Sequence, residues 1–399
     1  MTASILPAVT ALFPDSLRET LVSLRRAIHQ QPELSFRETG TAEKLAAALR
    51  ALGVADVTRV ANTGVVARVR GKNRNAPVVA VRGDIDALPI QEATGLPFAS
   101  TVPGVMHACG HDVHATWAVG AAALLAARPA EGDVLVVFQP AEETGRGALA
   151  ILETGVLGGV AAIFGGHVDR RFEVGQVVAD EGPLAASADM FEIELLGAGA
   201  HAARPHESRD PIVAAAAVIS ALQSIVSRRL NPATPGVVTV GSIHAGSAPN
   251  VIPERATLSG TVRAVEPKSR ELMLNEVRQV TESVAAAFGV EARVTLELGT
   301  PPIVNPPRPV AWAKEALATT IGAENVVPLG FLNMAGEDFA HYMETIPGCF
   351  MRIGAREPGA ASIPAHTPAF YAAEQSIFVG AAVLAECARV ASHAVASEL

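Results

Sequence analysis

Leu17, Leu21, Leu24 and Ile28 recur at helical spacing through SLRETLVSLRRAIHQ, and TAEKLAAALRALG repeats the pattern before stopping at Gly53. Two helices therefore open the chain. The periodicity then changes to short, nearly continuous apolar runs, GVVARVRG, PVVAVRGD, DVLVVFQP and VAAIFGGH, and helical stretches over 113–127 and 146–154 separate the later ones. Apolar strands alternating with helices predict an α/β domain built on a mostly parallel sheet.

Near Gly182-Pro183 the order changes to strand 188–196, helix 209–229, strand 236–245, strand 255–265, helix 267–288 and strand 291–298. This is β-α-β-β-α-β, the split arrangement of a ferredoxin-like α+β domain, with TPPIVNPPRP as its exit. A helix over 309–320, a strand over 348–354 and a helix over 374–391 then complete the first domain. The expected organisation is a first domain over 1–182, an insertion over 183–300 and a return to the first domain over 301–399. A length of 399 residues suits two cores better than one.

Composition narrows the function classes. With 49% apolar and 18% charged residues the chain reads as a globular enzyme, and a formal net charge of −9 provides no basic footprint for nucleic acid or an anionic membrane. The N-terminus lacks the basic and apolar regions of a secretory signal, so a cytoplasmic protein is expected. No apolar run is read as long enough to cross a bilayer, because the stretch after Trp117 stops at Arg128-Pro129. Cys109, Cys349 and Cys387 are too few for a disulfide framework.

Chemistry concentrates at strand and loop ends. His107, His111 and His114 fall beside Cys109 and Asp112 just before an Ala-rich helix. Cys109 and His111 are two apart, so extended backbone would turn them toward one point, and thiolate plus imidazole suits a borderline-soft divalent ion. The strand DVLVVFQP runs into Glu142 and Glu143, where one carboxylate can hold metal while the other faces a water; an acidic helix start is the plain alternative. VAAIFGGH delivers His167 to the same rim, and PVVAVRGDIDALP delivers Asp84 and Asp86. Singly each reads as a turn or cap residue; together they read as a hydrolytic metal site. Gly197-Ala-Gly199-Ala-His-Ala202 mimics a dinucleotide fingerprint, but Pro205 disfavours the helix that fingerprint needs.

RGDIDALPI, MHACGHDVH, QPAEE, FGGHV, GAGAHAARPH, DPIVAAAAVISALQSIVSR, GSIHAGSAPNVIPERATLSGTVR and GEDF, in this order along nearly the whole chain, resemble the aminoacylase, hippurate hydrolase and auxin-conjugate hydrolase branch of the dinuclear metallopeptidases. The resemblance implies a zinc-peptidase-like α/β domain interrupted by a smaller lid or dimerisation domain. It implies two divalent ions per subunit, zinc, manganese, cobalt or nickel, held by Cys109, His111, Glu143, His167 and His366. Glu142 would be the general base and Asp86 a supporting acid, with Asp84 standing where many relatives carry a ligand histidine. His107, Asp112 and His114 are left with support or helix-capping roles. His201, Asn250 and Arg263 match residues that relatives use on substrate, the histidine in some cases from a neighbouring subunit. The implied reaction is hydrolysis of the amide bond of small N-acyl amino acids in a homodimer or homotetramer, with a dipeptidase or carboxypeptidase as the alternative. Two departures, Ala335 and Ala200, stand where glycine is common, and are expected to trim the substrate pocket.

Overall fold

The computed structural model describes residues 6–398. The chain divides into two compact units: one is formed by residues up to Gly182, Asn305–Phe331 and residues from Asp338 onward, the other by Pro183–Val304 and Leu332–Glu337. Residues 301–304 and Leu332–Glu337 thus group with the insertion, whereas the sequence reading gave both to the returning part of the first domain. In the second case the reason is local: the Ala186 N–H donates to the carbonyls of Asn333 and Ala335 at 3.1 and 3.2 Å, a tie that leaves no trace in periodicity.

The first unit is built on seven strands: β1 (Val57–Val60), β2 (Gly64–Val69), β3 (Val78–Asp84), β4 (Val134–Gln139), β5 (Val160–Glu173), β6 (Val177–Val178) and β7 (Gly348–Arg356), ordered β1-β2-β4-β3-β5-β7-β6. The inner four are parallel, and β1, β2 and β6 are antiparallel additions. Burial of nearly every residue of β3 and β4 explains their unbroken apolar runs.

The longer helices of this unit are α1 (Asp15–Gln30), α2 (Thr39–Ala51), α3 (His111–Ala127), α4 (Gly147–Glu153), α5 (Pro307–Thr320) and α6 (Gln375–Ala396). Helix α3 is apolar almost all round because it lies between β3 and β4 on one side and α1 and α6 on the other. Its contact with α6 is close: a Cβ at Gly380 would stand 2.2 Å from the Trp117 ring, so only glycine fits there.

The second unit has the expected ferredoxin-like order. Four antiparallel strands run Gly236–Ala245, Arg255–Ala264, Ala188–Leu196 and Glu291–Thr300 across the sheet, with helices Pro211–Ser224 and Pro267–Ala287 packed on it. Phe191, Ile193 and Leu195 are buried and alternate with less buried neighbours, the mark of a sheet covered on one face.

One expectation needs correction. Pro211–Arg229 and Gln375–Ala396 are both long and apolar enough to cross a membrane by composition. Each covers a core: Gln375–Ala396 is buried along most of its length, and the helix beginning at Pro211 packs Ala214, Ala215, Val218 and Leu222 on the second unit's sheet.

Candidate metal centre

β3, β4 and β5 are parallel neighbours, so their carboxyl ends open on one rim, where ligand sites form in such sheets. Asp84 ends β3, and Glu142 and Glu143 follow β4. His167 departs from the sequence reading: it lies inside β5, which continues to Glu173 because β7 pairs with it beyond the last partner on β3.

Two local conformations differ from extended backbone. Gly110, between Cys109 and His111, has φ +95° and precedes the first residue of α3. This left-handed turn brings the two side chains together, and a Cβ at Gly110 would stand 2.4 Å from Val168 Cγ2. After β4, Ala141 adopts φ +53° and Glu142–Thr144 form a 3-10 turn. Both carboxylates therefore face one point: Glu142 Oε2 and Glu143 Oε1 lie 3.8 and 3.9 Å from His111 Nε2.

The predicted ligands converge in overlapping groups, Cys109-His111-His167, Cys109-Glu143-His366 and His111-Glu142-Glu143, with the ligand atoms of each group within 4.8 Å of one another. Cys109 Sγ lies 3.2 Å from His167 Nε2, and His366 Nε2 lies 3.4 Å from Glu143 Oε1. Orientation is set from behind. His111 Nδ1 donates to the Asp86 carbonyl and carboxylate at 3.0 and 3.1 Å, and His167 Nδ1 donates to the Val168 carbonyl at 2.7 Å, so both turn Nε2 to the centre. Asp86 Oδ2 also accepts from Ser35 Oγ at 2.8 Å and from the Glu143 N–H at 3.1 Å. Asp86 thus ties two candidate ligands together.

Asp84 has a different occupation. Its Oδ2 accepts from Arg82 Nη1 at 2.5 Å and its Oδ1 lies 2.6 Å from His114 Nδ1. His114 Nε2 accepts the Val168 N–H at 2.9 Å, so the His114 proton sits on Nδ1 and both ring nitrogens are used. Arg82 continues to Gln139 and Asp338, and Asp338 also accepts from the Ala148 N–H in the first turn of α4. The Asp of the GEDF motif is therefore part of a buried scaffold. Asp112 accepts from Arg25 Nε at 2.7 Å and lies 2.8 Å from His29 Nδ1. Burial works to raise this carboxyl, and Arg25 and His29 outweigh it and hold it well below the usual range. His107 is buried without a hydrogen-bond partner on either ring nitrogen, and burial pushes it down to about 4.

In the second unit, His201 lies on a two-stranded ribbon facing Val251, and Asn250, in the turn just before Val251, accepts the Ala202 N–H on its carbonyl at 3.1 Å. Arg263 lies on the sheet strand opposite Val237. Ala335 is exposed, so its extra methyl has room, whereas a Cβ on Gly336 would stand 2.7 Å from Thr300 Oγ1. A short 3-10 turn at Pro205–Glu207 follows the Gly197-Ala-Gly199 run in place of the helix that dinucleotide binding requires.

A family model described as peptidase family M20/M25/M40 matches residues 80–390. The chain belongs to this family. Among its relatives, an N-acetylcysteine deacetylase of Bacillus subtilis is 43% identical, with 92% of this chain and 96% of that protein covered. The Arabidopsis thaliana IAA-amino acid hydrolase ILR1-like 4 is 41% identical, with 92% and 84% covered. In three dimensions the chain is similar to a Bacillus subtilis protein described as a dinuclear metal binding peptidase from the M20 family, with a TM-score of 0.84 and 38% identity over 95% of this chain and 99% of that one. This family member is a metal-dependent hydrolase of amide bonds that works with a dinuclear metal centre. Its residues fit that role: His111 Nε2 and Glu143 Oε1 are buried without hydrogen-bond partners, in a set of one thiol, imidazoles and carboxylates that suits borderline divalent ions.

Of the predicted residues, His366 had no signal of its own in the sequence, being one histidine in an irregular segment. Ser35 was not predicted at all, since a lone serine between helices carries no pattern.

Proposed function

We propose that the protein hydrolyses the amide bond of N-acyl amino acids, with Cys109, His111, Glu143, His167 and His366 holding the two ions and Glu142 acting as general base. The carrying observation is the convergence of these donors around His111 Nε2 and Glu143 Oε1, two buried atoms that make no hydrogen bond. When bound, the ions lower the pKa of water and polarise the amide carbonyl. Glu142 takes the proton of the attacking water and returns it to the leaving amine. Asp86 is a positioning residue in this reading, since its oxygens are spent on His111, Ser35 and the Glu143 N–H. His201 would stabilise the oxyanion, and Asn250 and Arg263 would hold the substrate carboxylate.

The names of the relatives support the substrate class, because N-acetylcysteine and an IAA-amino acid are both acylated amino acids. A panel of N-acetyl, N-benzoyl and N-indolylacetyl amino acids beside free dipeptides tests it. Acyl amino acids are expected to have kcat/KM at least about tenfold above dipeptides, a difference of about 1.4 kcal/mol in transition-state binding. The reverse order would make the enzyme a peptidase.

An oligomer assembled through the inserted unit is part of this reading. Strand Gly236–Ala245 is a sheet edge and exposes Val237 and Ile243, as an unpaired edge seeking a partner would. A monomer mass in light scattering overturns it. A cytoplasmic location agrees with three free, buried cysteines, and cell fractionation tests that.

A further inference from the structure

Residues 357–374 contain no helix or strand, and His366 stands in their middle with φ +63°. A non-glycine residue in the left-handed region carries about 1–3 kcal/mol of strain, which its surroundings must sustain. One backbone bond holds His366 itself, from its N–H to the Ala108 carbonyl at 2.8 Å. The imidazole is 54% exposed, so packing does not fix it.

The two arms of the segment are held from β5. Arg170 lies on that strand three residues beyond His167 and is almost fully buried. Its Nη1 donates to the carbonyls of Tyr371 at 3.0 Å and Ala355 at 3.3 Å and to Glu357 Oε2 at 3.3 Å; its Nη2 donates to the Ala361 carbonyl at 3.1 Å. The guanidinium also stands 4.3 Å from the centroid of the Tyr371 ring. Ala361 and Tyr371 are five residues before and five after His366, so one cation grips the chain on both sides of it. The planar fork of donors makes this possible, whereas an ammonium is a point charge.

We propose that Arg170 is a positioning residue of the metal centre: it holds segment 357–374 so that His366 reaches the ion it shares with Glu143 and Cys109. This rests on the reading of His366 as a ligand. It predicts that metal affinity depends on a side chain whose hydrogen bonds go to Ala355, Glu357, Ala361 and Tyr371.

Calorimetric titration of the chelated full-length protein with Co2+ tests it in the wild type, His366→Ala, Arg170→Met and the double variant. His366→Ala should lose tight binding of one of the two ions. Arg170→Met should weaken the same ion by about ten- to a hundredfold, the range for groups that orient ligands, and leave the other unchanged. In the His366→Ala background it should add nothing, whereas a residue that only stabilised the fold would weaken both ions or add to the loss. If circular dichroism shows Arg170→Met unfolded, Arg170→Lys replaces it, with an expected weakening of about tenfold. Wild-type binding of both ions in whichever Arg170 variant folds overturns the proposal while the His366 ligand reading stands. Wild-type binding of both ions by His366→Ala overturns that reading, and the Arg170 proposal with it.

Discussion

Glu142→Gln is expected to keep both metal ions and lose turnover by about a thousandfold, within the range that a positioned general base contributes. The two adjacent carboxylates both approach His111, and their other neighbours separate them. Glu143 is grouped with Cys109 and His366, lies 3.4 Å from His366 Nε2, and has its backbone tied to Asp86. Glu142 Oε2 approaches the same His111 Nε2 at 3.8 Å, while Cys109 and His366 group with Glu143. Glu143→Gln should therefore lose metal together with activity, and Glu142→Gln activity alone. Metal content and kcat measured on both variants separate the two roles; near-normal turnover in Glu142→Gln would sink the base assignment.

Chelation is expected to reduce activity to background and lower Tm, with both restored by a divalent ion. An ion that binds only the folded state stabilises it by mass action, by about 2.7 kcal/mol at a hundred times its dissociation constant. The metal-free centre also fixes the direction of the pH dependence. Burial, reinforced by Glu143, pushes the Cys109 thiol up to about 12, so at neutral pH it holds its proton. Burial works to lower His111, but Asp84 and Asp86 outweigh it and raise its pKa. Metal requires thiolate and neutral imidazole, so uptake must release protons, and affinity should rise by about tenfold per pH unit for each proton released. Titration calorimetry in buffers of different ionisation enthalpy reads the proton count. Full activity after chelation, or uptake without proton release, would contradict this account.

Much of the molecule was legible from residue order. Strands such as 188–196 and 236–245 have the predicted limits, because alternation of apolar residues is a local property. The two-unit order was legible for the same reason. What went unread were connections: Leu332–Glu337 joins the second unit through bonds to Ala186, and β5 continues past His167 because β7 pairs with it. Neither partner is near in sequence. Apolar length alone does not separate a core helix from a membrane one: Gln375–Ala396 is long and apolar enough to cross a bilayer, and it covers a core.

Within the site, the sequence alone determined the chemistry on offer: a thiol, imidazoles and paired carboxylates at the ends of parallel strands. Tertiary structure decided which of them meet. Cys109 and His111 converge through the left-handed Gly110, Glu142 and Glu143 through the left-handed Ala141, and His366 arrives from a segment held in its own left-handed conformation. It also set the partners of two residues whose work the sequence left open: His114 spends its two nitrogens on Asp84 and Val168, and Asp84 is held by Arg82. A side chain's identity states what it can bind. Whether it does depends on backbone angles and distant hydrogen bonds that no local pattern encodes, and those are set only when the strands and helices close on one another.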